Sequence, residues 1–230
     1  MIPRLLLDTA DIPGASKDGG GQLKLFRRGD EFSIMLGGNE LMNSRLSGSE
    51  EALATLACAR LEGRPAVRML IGGLGMGFTL RAALALLPDD AQVSVAELVP
   101  AVVAWARGPM AQIFGNSLSD PHVTIREGDV GAIIGEASGQ YDAILLDVDN
   151  GPDGLTRSSN DKLYGAGGLG AARRALRPGG VLLIWSAGPN AAFTRRLTDA
   201  GYRVEEHTVR ATRSGKGARH VIWIAQRPSI

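Results

Sequence analysis

Three acidic side chains and one cluster of glycines are the residues whose types and spacing could do chemistry. The segment Ile71-Gly-Gly-Leu-Gly-Met-Gly77 follows a continuous apolar run, Val67–Ile71, and precedes Leu80, Ala83, Leu84 and Leu87 at helical spacing. Gly72, Gly73, Gly75 and Gly77 let the backbone turn tightly and approach a ligand closely, beside the free N–H groups of a helix start. Their pattern is GxGxG, whereas the dinucleotide fingerprint would need glycine where Phe78 stands. Glu97 ends the next strand, where a carboxylate can accept both hydroxyls of a ribose. Asp129, in Glu127-Gly-Asp129, ends a third strand and can take an adenine amino group, and Asp147, in Leu146-Asp-Val-Asp-Asn150, ends a fourth. Singly, each also has a plain structural reading, as a turn or a solvated strand end. Together, on the carboxyl ends of successive strands, they outline a nucleoside pocket.

The elements that must position them follow from periodicity. Residues 1–46 read as a small β-rich subdomain with strands near Leu5–Leu7, Gln22–Arg27 and Glu31–Leu36, separated by the turns Asp18-Gly-Gly-Gly and Arg28-Gly-Asp. Ser47-Gly-Ser-Glu50 matches a capping box that opens a helix to about Leu61. Residues 47–230 then alternate strand and helix. Strands are expected at Val67–Ile71, Val93–Ala96, Val123–Arg126, Tyr141–Leu146 and Val181–Trp185. Helices are expected at Phe78–Leu87, Pro100–Phe114, Asp161–Leu176 and Ala191–Ala200, the third stopped by Arg177-Pro-Gly-Gly. Two strands, Arg203–Val209 and His220–Ala225, close the chain, so the last must run antiparallel. This predicts an α/β fold with a doubly wound, mostly parallel, seven-stranded sheet.

Bulk properties narrow the function classes. In 230 residues the 25 basic and 24 acidic side chains nearly cancel, which is no electrostatic footprint for nucleic acid. No run approaches the roughly 18 apolar residues of a membrane span. The leucine run after Met1 is broken by Asp8, too early for a signal peptide, so a cytoplasmic location is expected. The single cysteine, Cys58, cannot form an internal disulfide, and no residues have metal-ligand spacing.

Val67–Gly180 resembles the catalytic half of the spermidine synthase family, the polyamine aminopropyltransferases, which are built on the S-adenosylmethionine-dependent class I methyltransferase (Rossmann-like) fold. The matching pieces are Leu70–Gly77, Val95-Ala-Glu-Leu98, Gly128-Asp-Val130, Tyr141-Asp-Ala-Ile-Leu-Leu-Asp147, Lys162-Leu-Tyr164 and Leu176-Arg-Pro-Gly-Gly180. The resemblance implies an N-terminal β subdomain and a homodimer. It implies S-adenosylmethionine or its decarboxylated form as co-substrate, with no metal. Gly72, Gly73, Gly75, Gly77, Glu97, Leu98, Asp129 and Val130 would contact the cofactor, and Asp147 would stand beside the sulfonium as the catalytic residue.

Departures from the family pattern bear on the reaction. Met76 stands where the family has an acid in the glycine loop, and Asp147-Val-Asp-Asn-Gly151 replaces an Asp-Ser-Ser-Asp-Pro gate. Ser47-Gly-Ser-Glu-Glu-Ala52 replaces an acidic–aromatic–histidine cluster, and a family tyrosine falls near Leu169. With these amine-gripping groups missing, the sequence favours methyl transfer from S-adenosylmethionine to a small-molecule acceptor. Aminopropyl transfer from the decarboxylated cofactor is the alternative, and a non-catalytic nucleoside-binding protein is a second. Arg210, Arg213, Lys216 and Arg219 in the last loop fit either a solvated hairpin or an acceptor bearing carboxylate or phosphate. Trp105, Trp185 and Trp223 read as core, and His122, His207 and His220 belong to no triad.

Overall fold

The computed structural model describes residues 2–14, 21–148, 162–212 and 214–229. The Asp18 turn, the gate residues Asp149–Gly151, Asp161 and Arg213 lie outside them. The leader forms β1 (Leu5–Asp11), β2 (Gln22–Arg28), β3 (Glu31–Leu36) and β4 (Asn39–Asn43), an antiparallel meander in sequential order. The remainder runs α1 (Gly48–Arg60), β5 (Arg68–Gly72), α2 (Phe78–Leu84), β6 (Gln92–Glu97), α3 (Pro100–Arg107), α4 (Ala111–Phe114), β7 (Val123–Glu127) and α5 (Val130–Glu136). Then come β8 (Tyr141–Leu146), α6 (Ala166–Ala175), β9 (Leu176–Ser186), α7 (Ala191–Asp199), β10 (Arg203–Arg210) and β11 (Arg219–Gln226).

The large sheet has the order β10-β11-β9-β8-β5-β6-β7. β7, β6, β5, β8 and β9 are parallel, and β11 is antiparallel to both neighbours. Alternation along each central strand sorts its side chains to two faces. Met69, Ile71, Leu145 and Leu183 pack with Leu53 of α1, Leu80 of α2 and Val103 of α3. Leu70, Ile144, Leu146 and Leu182 pack with Ile134 of α5, Leu169 of α6 and Leu197 of α7. Leu169 is therefore core, which accounts for an apolar residue near the family tyrosine. The leader joins the first core through Leu23, Leu25, Phe32 and Ile34, each at most 5% exposed. The Trp105 Nε1–H of α3 donates to Asp8 Oδ2 on β1 at 2.7 Å, pinning the leader to the parallel sheet's own helix layer.

Several expectations need correction. The helix expected over Pro100–Phe114 is two, because Pro109 has no N–H to continue the ladder. α2 ends at Leu84, one turn short of Pro88. Arg177-Pro-Gly-Gly lies inside β9, whose pairing with β8 shifts register between Tyr141 and Ala143. That irregularity tolerates Pro178. β4 and α5 were not anticipated. The capping box is not formed: Ser47 makes no side-chain capping bond, and Glu50 turns elsewhere.

Asp142, only 3% exposed at the start of β8, anchors the sheet end opposite the carboxyl edge. It accepts from Arg64 Nη1 at 3.1 Å, Arg177 Nη1 at 2.8 Å and the Arg68 amide at 2.9 Å. Asp142→Ala leaves that partly buried amide and two partly buried guanidinium groups without their acceptor. It should lower the unfolding free energy by about 2–3 kcal/mol after allowing for solvent at the arginines. The urea midpoint should fall at unchanged slope, and a midpoint equal to the parent's would remove the anchor role.

Candidate functional site

The carboxyl ends of β5, β6, β7 and β8 meet at a cleft with about 1380 Å³ of empty space, open to solvent. Its floor is the glycine loop. Gly73 has φ +90°, and an added Cβ would stand 3.0 Å from the Asp147 carbonyl oxygen. Gly77 has φ +71°, and a Cβ there would overlap the Phe114 ring, so only glycine lets α2 start against α4. Gly73, Gly75, Gly77, Glu97, Leu98, Asp129, Val130 and Asp147 all line this one cleft. Gly72 does not. It sits beneath, where a Cβ would press on Leu146 and Val130, so its smallness serves packing.

Glu97 is 7% exposed and its two carboxylate oxygens are already engaged. Oε2 accepts from the Leu74 amide and Oε1 from the Val99 amide, each at 2.9 Å. These bonds tie the glycine loop to the end of β6, a structural duty that the expectation of a purely ribose-facing carboxylate lacked. Burial still raises its pKa against the pull of those amides. Asp129 caps α5, accepting from the Gly131 amide at 2.6 Å, and is exposed to the cleft mouth.

Asp147 carries the largest electrostatic consequence. Burial, with a contribution from the Glu50 carboxylate, pushes its pKa up to about 7. Glu50 lies in the first turn of α1, lines the same cleft, and is itself raised by burial. Its Oε2 accepts from Ser49 Oγ at 2.8 Å. The cleft lining among the described residues thus carries four carboxylates, Glu50, Glu97, Asp129 and Asp147, and no Lys, Arg or His. Arg210, Lys216 and Arg219 do not reach it, and Arg210 spends its guanidinium on the Gly217 carbonyl.

The sequence offers Glu50 chiefly as a capping-box residue, because Ser47-x-x-Glu50 has that spacing, and as a source of negative charge beside Asp147 or Asp149 only if aminopropyl transfer is the reaction. Trp185 is core, as the sequence indicates, and at 9% exposure it also lines the cleft, where its buried Nε1–H has no acceptor among the described residues. The only signal for either was proximity to the strand ends in space, which a chain order does not display. The leader contributes Ile12, Leu23, Leu41, Met42 and Asn43 to the same wall. Met76 is 3% exposed and packed in the first core while touching the cleft, so this loop position is occupied by core packing rather than by an acid.

A raised Asp147 pKa has a defined sign. The folded chain holds a proton that the unfolded chain, with an ordinary value of 3.8, has released. Its contribution to stability is full below about pH 4 and is lost as pH rises toward 7. Asp147→Asn should therefore be more stable than the parent at pH 8, by on the order of 2 kcal/mol. The gap should close near pH 4. Denaturant titrations at the two pH values read it directly, and a gap independent of pH would assign Asp147 an ordinary carboxyl.

No family model matches the chain. It is 31% identical over 153 residues to polyamine aminopropyltransferase 1 of Streptomyces coelicolor, covering 63% of this chain and 28% of that protein. It is 30% identical over 202 residues to the polyamine aminopropyltransferase of Mycobacterium tuberculosis, covering 82% of this chain and 36% of that one. The chain thus spans roughly a third of the length of these curated relatives. The crystal structure of spermidine synthase from Thermotoga maritima superposes with a TM-score of 0.71 at 17% identity, over 98% of this chain and 73% of that one. In sequence, the chain is similar to the polyamine aminopropyltransferases, and it shares the fold of the spermidine synthase structure.

Proposed function

We propose that the chain is an aminopropyltransferase: it holds decarboxylated S-adenosylmethionine in the cleft and passes the aminopropyl group to a small amine. The carrying observation is the lining itself, four carboxylates with no cationic side chain among the described residues. Intact S-adenosylmethionine adds a carboxylate that would face these acids, whereas the decarboxylated form carries only positive charge. The sequence favoured methyl transfer because Met76 removes the family's loop acid. The named relatives support aminopropyl transfer instead, and Glu50 is a carboxylate that arrives from α1 to offset the loss.

In this reading Glu97 and Asp129 take the ribose hydroxyls and the adenine amino group, with Gly73, Gly75, Gly77, Leu98 and Val130 forming the walls. Asp147, with a pKa of about 7, is matched to accept a proton from an acceptor ammonium near neutral pH. The freed amine attacks the carbon on sulfur in line: a C–N bond forms, the C–S bond breaks, and the thioether leaves with the electron pair. Positioning supplies most of the acceleration. Burial of the acids pre-organises the site for cations, at an electrostatic cost that binding relieves.

We further propose a homodimer in the cytoplasm. Leu5 and Leu6 on the outer strand β1 are 60% and 47% exposed, an apolar edge of the kind a second subunit covers. Light scattering should return twice the chain mass at micromolar concentration, and a monomer would overturn this.

The reaction is tested by supplying putrescine with either cofactor form and quantifying methylthioadenosine and spermidine by mass spectrometry. Product is expected with the decarboxylated form only. Asp147→Asn should lower kcat by 10²-fold or more, as for loss of a general base. Glu50→Gln should raise the KM for putrescine about tenfold, equivalent to roughly 1.4 kcal/mol. A methylated acceptor formed from S-adenosylmethionine would overturn the assignment, and binding without turnover would favour a nucleoside-binding protein.

A further inference from the structure

Glu50 does not stand alone at the cleft. Ser49, only 1% exposed, donates its hydroxyl proton to Glu50 Oε2 at 2.8 Å. Ser49 Oγ also lies 3.0 Å from Nδ1 of His220, which comes from β11, the last strand. His220 is fixed in turn by the edge of Trp185, with ring centroids 4.7 Å apart. A serine hydroxyl has one proton. With that proton committed to Glu50, the histidine must carry hydrogen on Nδ1 and donate to Ser49 Oγ. Both donors then point toward Glu50, an ordering that suits a carboxylate and opposes a carboxylic acid. Reversing it would set two oxygen lone pairs against each other unless Glu50 were protonated.

We propose that His220, acting through Ser49, is the positioning residue that keeps Glu50 ionised and aimed at the cationic acceptor. The reason for such a device lies in the surroundings. Glu51 on α1 opposes a charge on Glu50, and burial does so more strongly, while a charged Glu50 in turn raises Asp147 beyond β8. Arg210 and Arg219, paired at the head of the β10–β11 hairpin, are outside the cleft lining and do not compensate. A polarised serine hydroxyl supplies a charge-assisted hydrogen bond without adding a cation that would repel the substrate. Burial lowers the His220 pKa, so the ring stays neutral near pH 7 and acts as a dipole. Trp185 makes the aromatic wall of this arrangement, so acid, histidine and aromatic group converge here from three distant stretches of chain.

This inference rests on the aminopropyl-transfer reading, and two measurements separate them. His220→Leu should raise the putrescine KM about tenfold while kcat falls less than threefold, and the acid limb of the kcat/KM profile should move to higher pH. His220→Asn, which keeps a side-chain N–H at the δ position, should recover most of the loss. Independently of turnover, carboxyl-carbon NMR of glutamate-labelled protein, assigned with Glu50→Gln, should show Glu50 titrating about one pH unit higher in His220→Leu. An unshifted Glu50 titration, or an equal loss in Asn and Leu variants, overturns the positioning role. If the parent fails to use putrescine while the titration still shifts, the aminopropyl reading falls and the positioning role stands.

Discussion

Both carboxylate oxygens of Glu97 are committed to backbone N–H groups, one in the glycine loop after β5 and one after β6. Every other part of the cleft depends on that tie. The loop needs left-handed backbone at Gly73, Gly75 and Gly77, which is conformationally costly in an unsupported chain. A buried acceptor that takes the Leu74 amide holds the turn in one shape. With the loop fixed, α2 starts against Phe114, and the Asp147 carbonyl packs over Gly73. The side chain of Asp147 is thereby delivered to the same space as Glu50.

Concentrating acids in a partly buried cleft runs against stability. Asp147 shows the cost as a pKa near 7, and Glu50 and Glu97 are both raised by burial. The fold bears it because the opposite end of the same strand is strongly anchored, with Asp142 held by two arginines and an amide. One strand, β8, thus joins a carboxylate held by three donors at its start to one whose charge burial and Glu50 oppose just past its end. Such a gradient, stable at one end and electrostatically strained at the other, is the usual form of a binding site built on a rigid sheet.

The leader is part of this arrangement. Leu23 faces both core and cleft, Met42 lies 3.2 Å from where a Gly75 Cβ would be, and Asp8 holds Trp105. A four-stranded meander on its own exposes one apolar face. Here that face closes the wall above the glycine loop, so the cleft is enclosed by two sheets of different origin in the chain.

What the sequence by itself determined was local. Glycines at a strand–helix turn, acids at the ends of apolar strands and a strand–helix alternation are each legible in a short stretch of neighbouring residues. They sufficed for the fold class and for the residues from Gly73 to Asp147 that share the cleft. The tertiary structure decided the rest. Glu50 read chiefly as a capping residue and His220 as incidental, because each pattern is satisfied equally well by a bland local role, and Trp185 read as core without its second role as cleft wall. Met76 read as a missing acid, although core packing accounts for it. Ser49 and His220 are 171 residues apart and meet only because β11 inserts antiparallel beside β9. Local pattern reports backbone conformation and burial, whereas which charges share a cavity is set by strand order. That order is a long-range property, and only the folded sheet expresses it.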